Sequence, residues 1–528
     1  MPVTTSYPGI YIEELPSNTH TVVAAPTSVT VFVGYAHPFK TPLANWKKAI
    51  ELFSFTDYER EFGGFFSSDR LDNNLPNAVN EFFLNGGSDA FVVALQASYW
   101  DSAGASQGTV VPATLSVGGI TFTARELTDT NHQLLLTIKL SLSSPSVADI
   151  VLAYGTVSET FRKVTLASAD TNFIEKVVGT ADNPVSSLVT VSPTAATYPA
   201  NFTGVNQAPI ALGPGTGTTS PQNPDPTWTT FSVQDFTPVF QQDSSLDKVS
   251  IFNLLLVPGV SDNSIWSEAQ AFAERKLAFC ILDPPAQAAA DPTFAPLPLM
   301  AELIELGIVP KTANGALYFP YLQSHDPQTN ALIELPPSGF VAGQYATTDL
   351  NRGVWKAPAG LQTVLLDTIG VVERGEMTDL RQGTLNPKGV NCIRDFPGIG
   401  SVVFGARTLV TENPSFEQWR YVPVRRTALF IEQSLYHSLG WVVFEPNDEP
   451  LWVAIRTTIE NFMLSLFNQG AFQGSTPSQA FQVKCDSSTT TQTDIDAGIV
   501  NILVAFAPLK PAEFVVIKIA QLAGQVQA

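Results

Sequence analysis

Hydrophobic and polar positions follow two different rhythms along this chain. Up to about residue 97, short apolar runs alternate with helical spacing. Residues 29–33 (VTVFV) read as a buried strand. In residues 75–84, Leu75, Val79, Phe82 and Phe83 recur at helical intervals, with Pro76 near the start and Gly86-Gly87 at the stop, which predicts a helix. Residues 91–95 (FVVAL) read as another buried strand. The same alternation returns after residue 250: strand 251–257, helix 264–275, strand 278–282 closed by Asp283-Pro284-Pro285, helix 298–306 and strand 316–320. Such alternation predicts a sheet covered by helices.

Between residues 99 and 250 the rhythm changes. Thr, Ser, Gly and Val dominate, and short alternating runs such as 134–142 replace helical spacing, so the stretch reads as an all-β insertion. It holds a connector at 213–226 (GPGTGTTSPQNPDP), a loop by its turn chemistry. From about residue 371 two long helices are predicted, 416–439 and 449–468, followed by two very apolar strands at 499–506 and 513–520. No internal repeat is visible.

Both termini carry orphan strands. Residues 6–15 (SYPGIYIEEL) form a strand-type segment without a hairpin partner, and in 513–520 (EFVVIKIA) both faces call for burial. An unpaired apolar strand must find a partner, either in its own subunit or by addition to the sheet of a neighbouring chain. The pattern alone leaves both open.

Composition narrows the function classes. Of 528 residues 48 are acidic and 28 basic, for a net charge of −20, and charged residues are 14% where about 25% is usual. At 44% hydrophobic content the chain is not disordered, and its acidity argues against nucleic-acid binding. The N-terminus has no signal peptide and no apolar run is long enough to span a membrane. Three widely spaced cysteines (Cys280, Cys392, Cys485) read as reduced, buried thiols.

No catalytic constellation emerges. A Gly-Lys dipeptide is missing, which excludes a P-loop, and His20, His37, His132, His325 and His437 are scattered without metal-ligand spacing. The string Gly104-Ala105-Ser106-Gln107-Gly108 matches a nucleophile-elbow pattern, but Thr109-Val110-Val111-Pro112 cannot open the required helix. A hydrolase using Ser106 and a secreted β-rich binding module, with 99–250 as its binding part, are therefore weaker readings. The binding module would call for an export signal.

Several motifs, in order, carry a resemblance. They are Tyr7-Pro8-Gly9-Ile10-Tyr11-Ile12-Glu13-Glu14, Phe82-Phe83-Leu84-Asn85-Gly86-Gly87, Leu282-Asp283-Pro284-Pro285, and Pro336-Pro337-Ser338-Gly339-Phe340-Val341-Ala342-Gly343. They continue with Arg352-Gly353-Val354-Trp355-Lys356, Gly405-Ala406-Arg407-Thr408-Leu409, Tyr421-Val422-Pro423-Val424-Arg425-Arg426, Phe444-Glu445-Pro446-Asn447-Asp448-Glu449 and Ala507-Pro508-Leu509-Lys510-Pro511. Over about 1–97 and 250–528 the chain resembles the contractile tail sheath proteins of myophage-like tails and related extracellular injection particles. The β-rich middle departs from that pattern.

The resemblance implies a structural, non-enzymatic protein without cofactor or metal. The implied fold is an α/β (α+β) sheath core built from N- and C-terminal parts of the chain, an inserted β-rich domain, and terminal arms as exchanged β-strands. The expected segments are an N-terminal arm (1–22), core (23–98), outer insertion (99–250), core (251–370), inner C-terminal domain (371–511) and C-terminal arm (512–528). Implied partners are other copies in stacked hexameric rings, an inner tube protein, and baseplate and terminal cap proteins, with no nucleic-acid contact and no membrane insertion. Assembly is expected in the bacterial cytoplasm, for an injection particle or alternatively a myophage virion.

The N-arm residues would be Tyr7, Gly9, Ile10, Tyr11, Ile12 and Glu13, and the C-arm residues Phe514, Val515, Val516, Ile517 and Ile519. Arg420, Arg425 and Arg426 are the candidates to face an acidic tube; the alternative is that they pair with the chain's own carboxylates.

Overall fold

The computed structural model describes residues 20–129, 131–141, 144–202, 208–213, 220–221, 224–285, 311–372 and 377–518. The helix expected at 298–306 lies outside them. The chain divides into two compact units, Pro26–Arg426 and the pair of segments Met1–Ala25 and Thr427–Ala528.

The larger unit is organised by an eight-stranded sheet. Its strands run in the order Ala49–Leu52, Ala90–Leu95, Thr30–Tyr35, Leu254–Leu256, Phe279–Leu282, Gly315–Phe319, Val390–Phe396 and Gly400–Val403. The six central strands are parallel, and the first and last pair antiparallel. Parallel strands are buried on both faces, so they read as unbroken apolar runs. Thr30–Tyr35, Leu254–Leu256, Phe279–Leu282 and Gly315–Phe319 are buried at every position. Val390–Phe396 and Gly400–Val403 complete this sheet.

Two helices lie against each other in parallel, Asn74–Leu84 and Ser338–Arg352. Their approach is set by glycine. A Cβ on Gly339 would sit 2.5 Å from Ala78 O, and one on Gly343 would sit 2.7 Å from Phe82 O. The Ser338–Arg352 helix begins on Asp283, whose carboxylate accepts from Ser338 N (2.8 Å), Ser338 Oγ (2.6 Å) and Gly259 N (2.9 Å). One buried acid thus joins three loops at the carboxyl edge of the sheet.

The region predicted as all-β carries a four-stranded antiparallel sheet, in the order Val157–Thr165, Ser144–Tyr154, Leu134–Ser141, Ile210–Leu212, and a three-stranded one, Val189–Pro193, Ile120–Ala124, Thr114–Val117. Ile120, Phe122, Leu136, Ile138, Ile150 and Val189 belong to a hydrophobic core of their own. The flanks of that region behave differently: Tyr99, Val110, Leu127, Phe236 and Phe240 pack into the core of the large sheet.

In the smaller unit the helix Glu449–Asn468 is capped by Asp448, with Pro450 in its first turn where no amide partner is needed. A hairpin, Phe481–Lys484 with Leu503–Phe506, packs beside it. The single helix expected over 416–439 is instead a 3-10 turn, Pro414–Trp419, followed by a helix, Val422–Ser438. Pro423 explains the break: it has no amide to donate, so it fits the first turn of a helix and not its middle.

Candidate assembly surfaces

The three arginines singled out in the sequence meet different fates. Arg426 is 3% exposed and grips Asp349, donating from Nη2 to Oδ2 at 2.6 Å and from Nη1 to Oδ1 at 2.9 Å. Its Nη2 also donates to Thr27 O, and the guanidinium lies 4.6 Å from the centre of the Tyr345 ring. This corrects the expectation that Arg426 faces a tube, because its charge is neutralised inside its own subunit. Arg425 is half-buried, with Nε donating to Asn314 Oδ1 (2.8 Å) and its guanidinium over Trp419. Arg420 is 35% exposed on its side chain and lies 3.5 Å from Glu417.

The N-arm residues Tyr7, Gly9, Ile10, Tyr11, Ile12 and Glu13, and Ile519 of the C-arm, lie outside the described residues. Val23 N donates to Ser438 Oγ (3.0 Å), Ala25 N to Ser434 Oγ (2.9 Å) and Thr458 Oγ1 to His20 O (3.3 Å), while the His20 ring stacks on Trp441 at 3.9 Å.

At the other end, Phe514, Val515, Val516 and Ile517 are 73–81% exposed and form no strand, where a strand was predicted. An apolar strand takes its form from a partner ladder. Beside the hairpin Phe481–Lys484 and Leu503–Phe506 runs a cleft of about 870 Å³, lined by Leu464, Phe481 and Val483 and also by Glu460, Asn461 and Gln482. Among the described residues that hairpin is a two-stranded sheet, so no third strand pairs with it.

Residues that could carry covalent chemistry are placed against it. Ser106 sits at the start of an exposed strand, Ser106–Thr109, paired with Ser98–Trp100, and not on a strand-to-helix turn. Cys280, Cys392 and Cys485 are free and buried, and burial pushes the Cys392 thiol up to about 12. Asp69, Asp129 and His132 come together, but Asp129 already accepts from Asp69 N, His132 N and Asn131 N as part of a turn.

Two family models match along the chain: the phage tail sheath protein central domain over residues 245–409 and the phage tail sheath C-terminal domain over residues 415–521, together just over half of it. The chain belongs to the phage tail sheath family. It is 26% identical over 280 residues to a prophage major tail sheath protein of Pseudomonas aeruginosa (strain UCBPP-PA14), covering 51% of this chain and 65% of that one. To the tail sheath protein of Burkholderia phage BcepMu it is 28% identical over 206 residues, covering 37% and 40%. The matched part therefore spans less than two thirds of either relative. In fold it is similar to the sheath complex of an extracellular contractile injection system, PVC, in its contracted state, with a TM-score of 0.57, 24% identity, and coverage of 98% and 99%. Sheath proteins of this family are structural and not enzymes. Among the described residues no helix is long and apolar enough to cross a membrane.

Proposed function

We propose that this sheath protein assembles as stacked hexameric rings around an inner tube and contracts to drive that tube through a target envelope, with neighbours tethered by exchanged strands. The observation that carries this is the conjunction of two features: an apolar segment, Val515–Val516–Ile517, that is 78–81% exposed, and a two-stranded antiparallel pair beside a cleft lined by both apolar and polar side chains. Each satisfies what the other lacks, since a strand added to the hairpin gains a main-chain ladder and covers its side chains. Within one chain the N-arm and C-arm both lead from the smaller unit, and donated to other copies they would link subunits while rigid cores move. In the same reading, Arg420 and Arg425 are the residues that meet an acidic tube, baseplate and cap proteins close the two ends, and assembly takes place in the bacterial cytoplasm. An injection particle and a phage tail both fit these features.

Electron microscopy of the chain expressed with its inner tube protein tests the reading. Striated cylinders in two lengths are expected from the full chain, and only separate subunits from a chain lacking residues 1–19 and 512–528. Cylinders formed equally well without the arms would disprove strand exchange.

A further inference from the structure

Where the strand Thr30–Tyr35 leaves the sheet, one imidazole ties the sheet to the β-rich region. His37 is fully enclosed, with the rings of Phe66 and Phe39 set edge-on at 5.8 and 6.2 Å. Its Nδ1 accepts from Phe39 N (3.2 Å) and Lys40 N (3.3 Å). A main-chain amide can only donate, so Nδ1 carries no proton and the ring proton sits on Nε2. That nitrogen lies 3.1 Å from Glu126 Oε2, and the other oxygen of Glu126 takes Lys40 Nζ. Thr41 Oγ1 closes the same turn by donating to His37 O and Phe62 O.

A second proton has no place here. It would sit on Nδ1, pointing at two amide donors that would then be buried without an acceptor. The charged groups facing the ring divide: Glu126 favours the imidazolium, while Lys40 and Arg125 oppose it. Burial, the largest influence, holds the ring below its ordinary value.

We propose that His37 is an acid-sensitive latch between the sheet and the β-rich region. Protonation at Nδ1 displaces the Phe39 and Lys40 amides and opens the turn at residues 37–41, and the opened turn carries the ring out of reach of Glu126. The sign follows from linkage. A histidine neutral in the fold and ordinary when unfolded contributes its stability above about 6.5 and loses it as pH falls below that value.

Hydrogen exchange read by mass spectrometry on the full chain at pH 7.5 and 5.0, corrected for intrinsic rates, tests this. Residues 37–41 and 120–127 should lose about tenfold protection per pH unit below the transition, as one linked proton requires, while Leu254–Leu256 keeps its protection. His37→Asn, whose Oδ1 accepts from the same amides and cannot be protonated, should abolish the loss. Equal protection of the native chain at both pH values, or the same opening in the variant, would overturn the latch. If the variant does not fold, histidine carbon NMR of the native chain decides. The His37 signal should keep its Nε2–H form until the turn opens, and titration with the 37–41 amides still protected would overturn the proposal.

Discussion

Arg426 and Asp349 form a two-pronged ion pair, at 2.6 and 2.9 Å, with both side chains sealed from solvent. The pair joins the start of the Val422–Ser438 helix to the end of the Ser338–Arg352 helix, and Tyr345 stacks under the guanidinium while hydrogen-bonding Tyr318 at 2.6 Å. A buried pair of this kind adds little net stability, but losing one partner leaves an uncompensated charge. Asp349→Ala should therefore destabilise the larger unit by about 3–5 kcal/mol. Urea unfolding followed by circular dichroism measures it, and a loss under about 1 kcal/mol would mean that the charge finds water. Charge reversal at Arg426 should fail at folding, before any assembly step.

The parallel contact between the helices Asn74–Leu84 and Ser338–Arg352 predicts sensitivity at Gly339, while open space beside the helix Asp379–Leu385 predicts tolerance at Gly383. Gly339→Ala puts a methyl group into Ala78 backbone, and forced overpacking of this kind costs about 1–3 kcal/mol. Gly383, in the helix Asp379–Leu385, has nothing within 4 Å of its missing Cβ. Gly383→Ala should stabilise by about 0.5–1 kcal/mol. Thermal unfolding of the two variants should shift in opposite directions.

Glu81 is 3% exposed, and its carboxyl is pushed up to about 9, by burial first and by Asp367 beside it second. It therefore enters the fold protonated. With the folded value above the unfolded one, its stabilisation is complete at acid pH, declines as pH rises towards 9 and is constant beyond. Glu81→Gln keeps a donor without the titration. The difference in unfolding free energy between native chain and variant should fall by up to about 1.4 kcal/mol per pH unit from pH 7 to 9, and a difference independent of pH would contradict a neutral Glu81.

Phe514→Asp with Val516→Asp alters only exposed positions, so the melting temperature of the isolated chain should stay within about 1 °C, in keeping with surface changes of ±0.5 kcal/mol. Sedimentation of the variant with its tube protein should show no cylinders.

Arg420→Glu with Arg425→Glu probes the tube contact. Isolated sheath copies should still join one another, while co-sedimentation with the inner tube is lost. Retained binding would move the contact to another surface.

The elements most legible in the sequence are those whose burial is one-dimensional. The strand runs at 29–33, 91–95, 278–282 and 316–320 and the helix at 264–275 each lie within a residue or two of Thr30–Tyr35, Ala90–Leu95, Phe279–Leu282, Gly315–Phe319 and Asn263–Arg275. Strand 251–257 shrinks to Leu254–Leu256, because Asn253 turns its side chain to Val29 N and Pro26 O. The helix Ser338–Arg352 was not expected at all. Gly339 and Gly343 weaken helical propensity, and their purpose is visible only when Asn74–Leu84 is seen against them.

For the candidate surfaces the division is sharper. Motif order identified a sheath protein, and composition and spacing argued against catalysis, because those signals are local in the chain. Which of three neighbouring arginines stays near the surface depends on Asp349, 77 residues away, and no helical period reports such a partner. His37 is likewise one of five scattered histidines until Glu126, 89 residues on, reaches its ring. The chain alone determined the buried strand runs, the helix at 264–275 and the apolar character of residues 514–517. Only tertiary structure decided which charges are spent inside, since burial and pairing are set by residues that the fold, and not the sequence, makes neighbours.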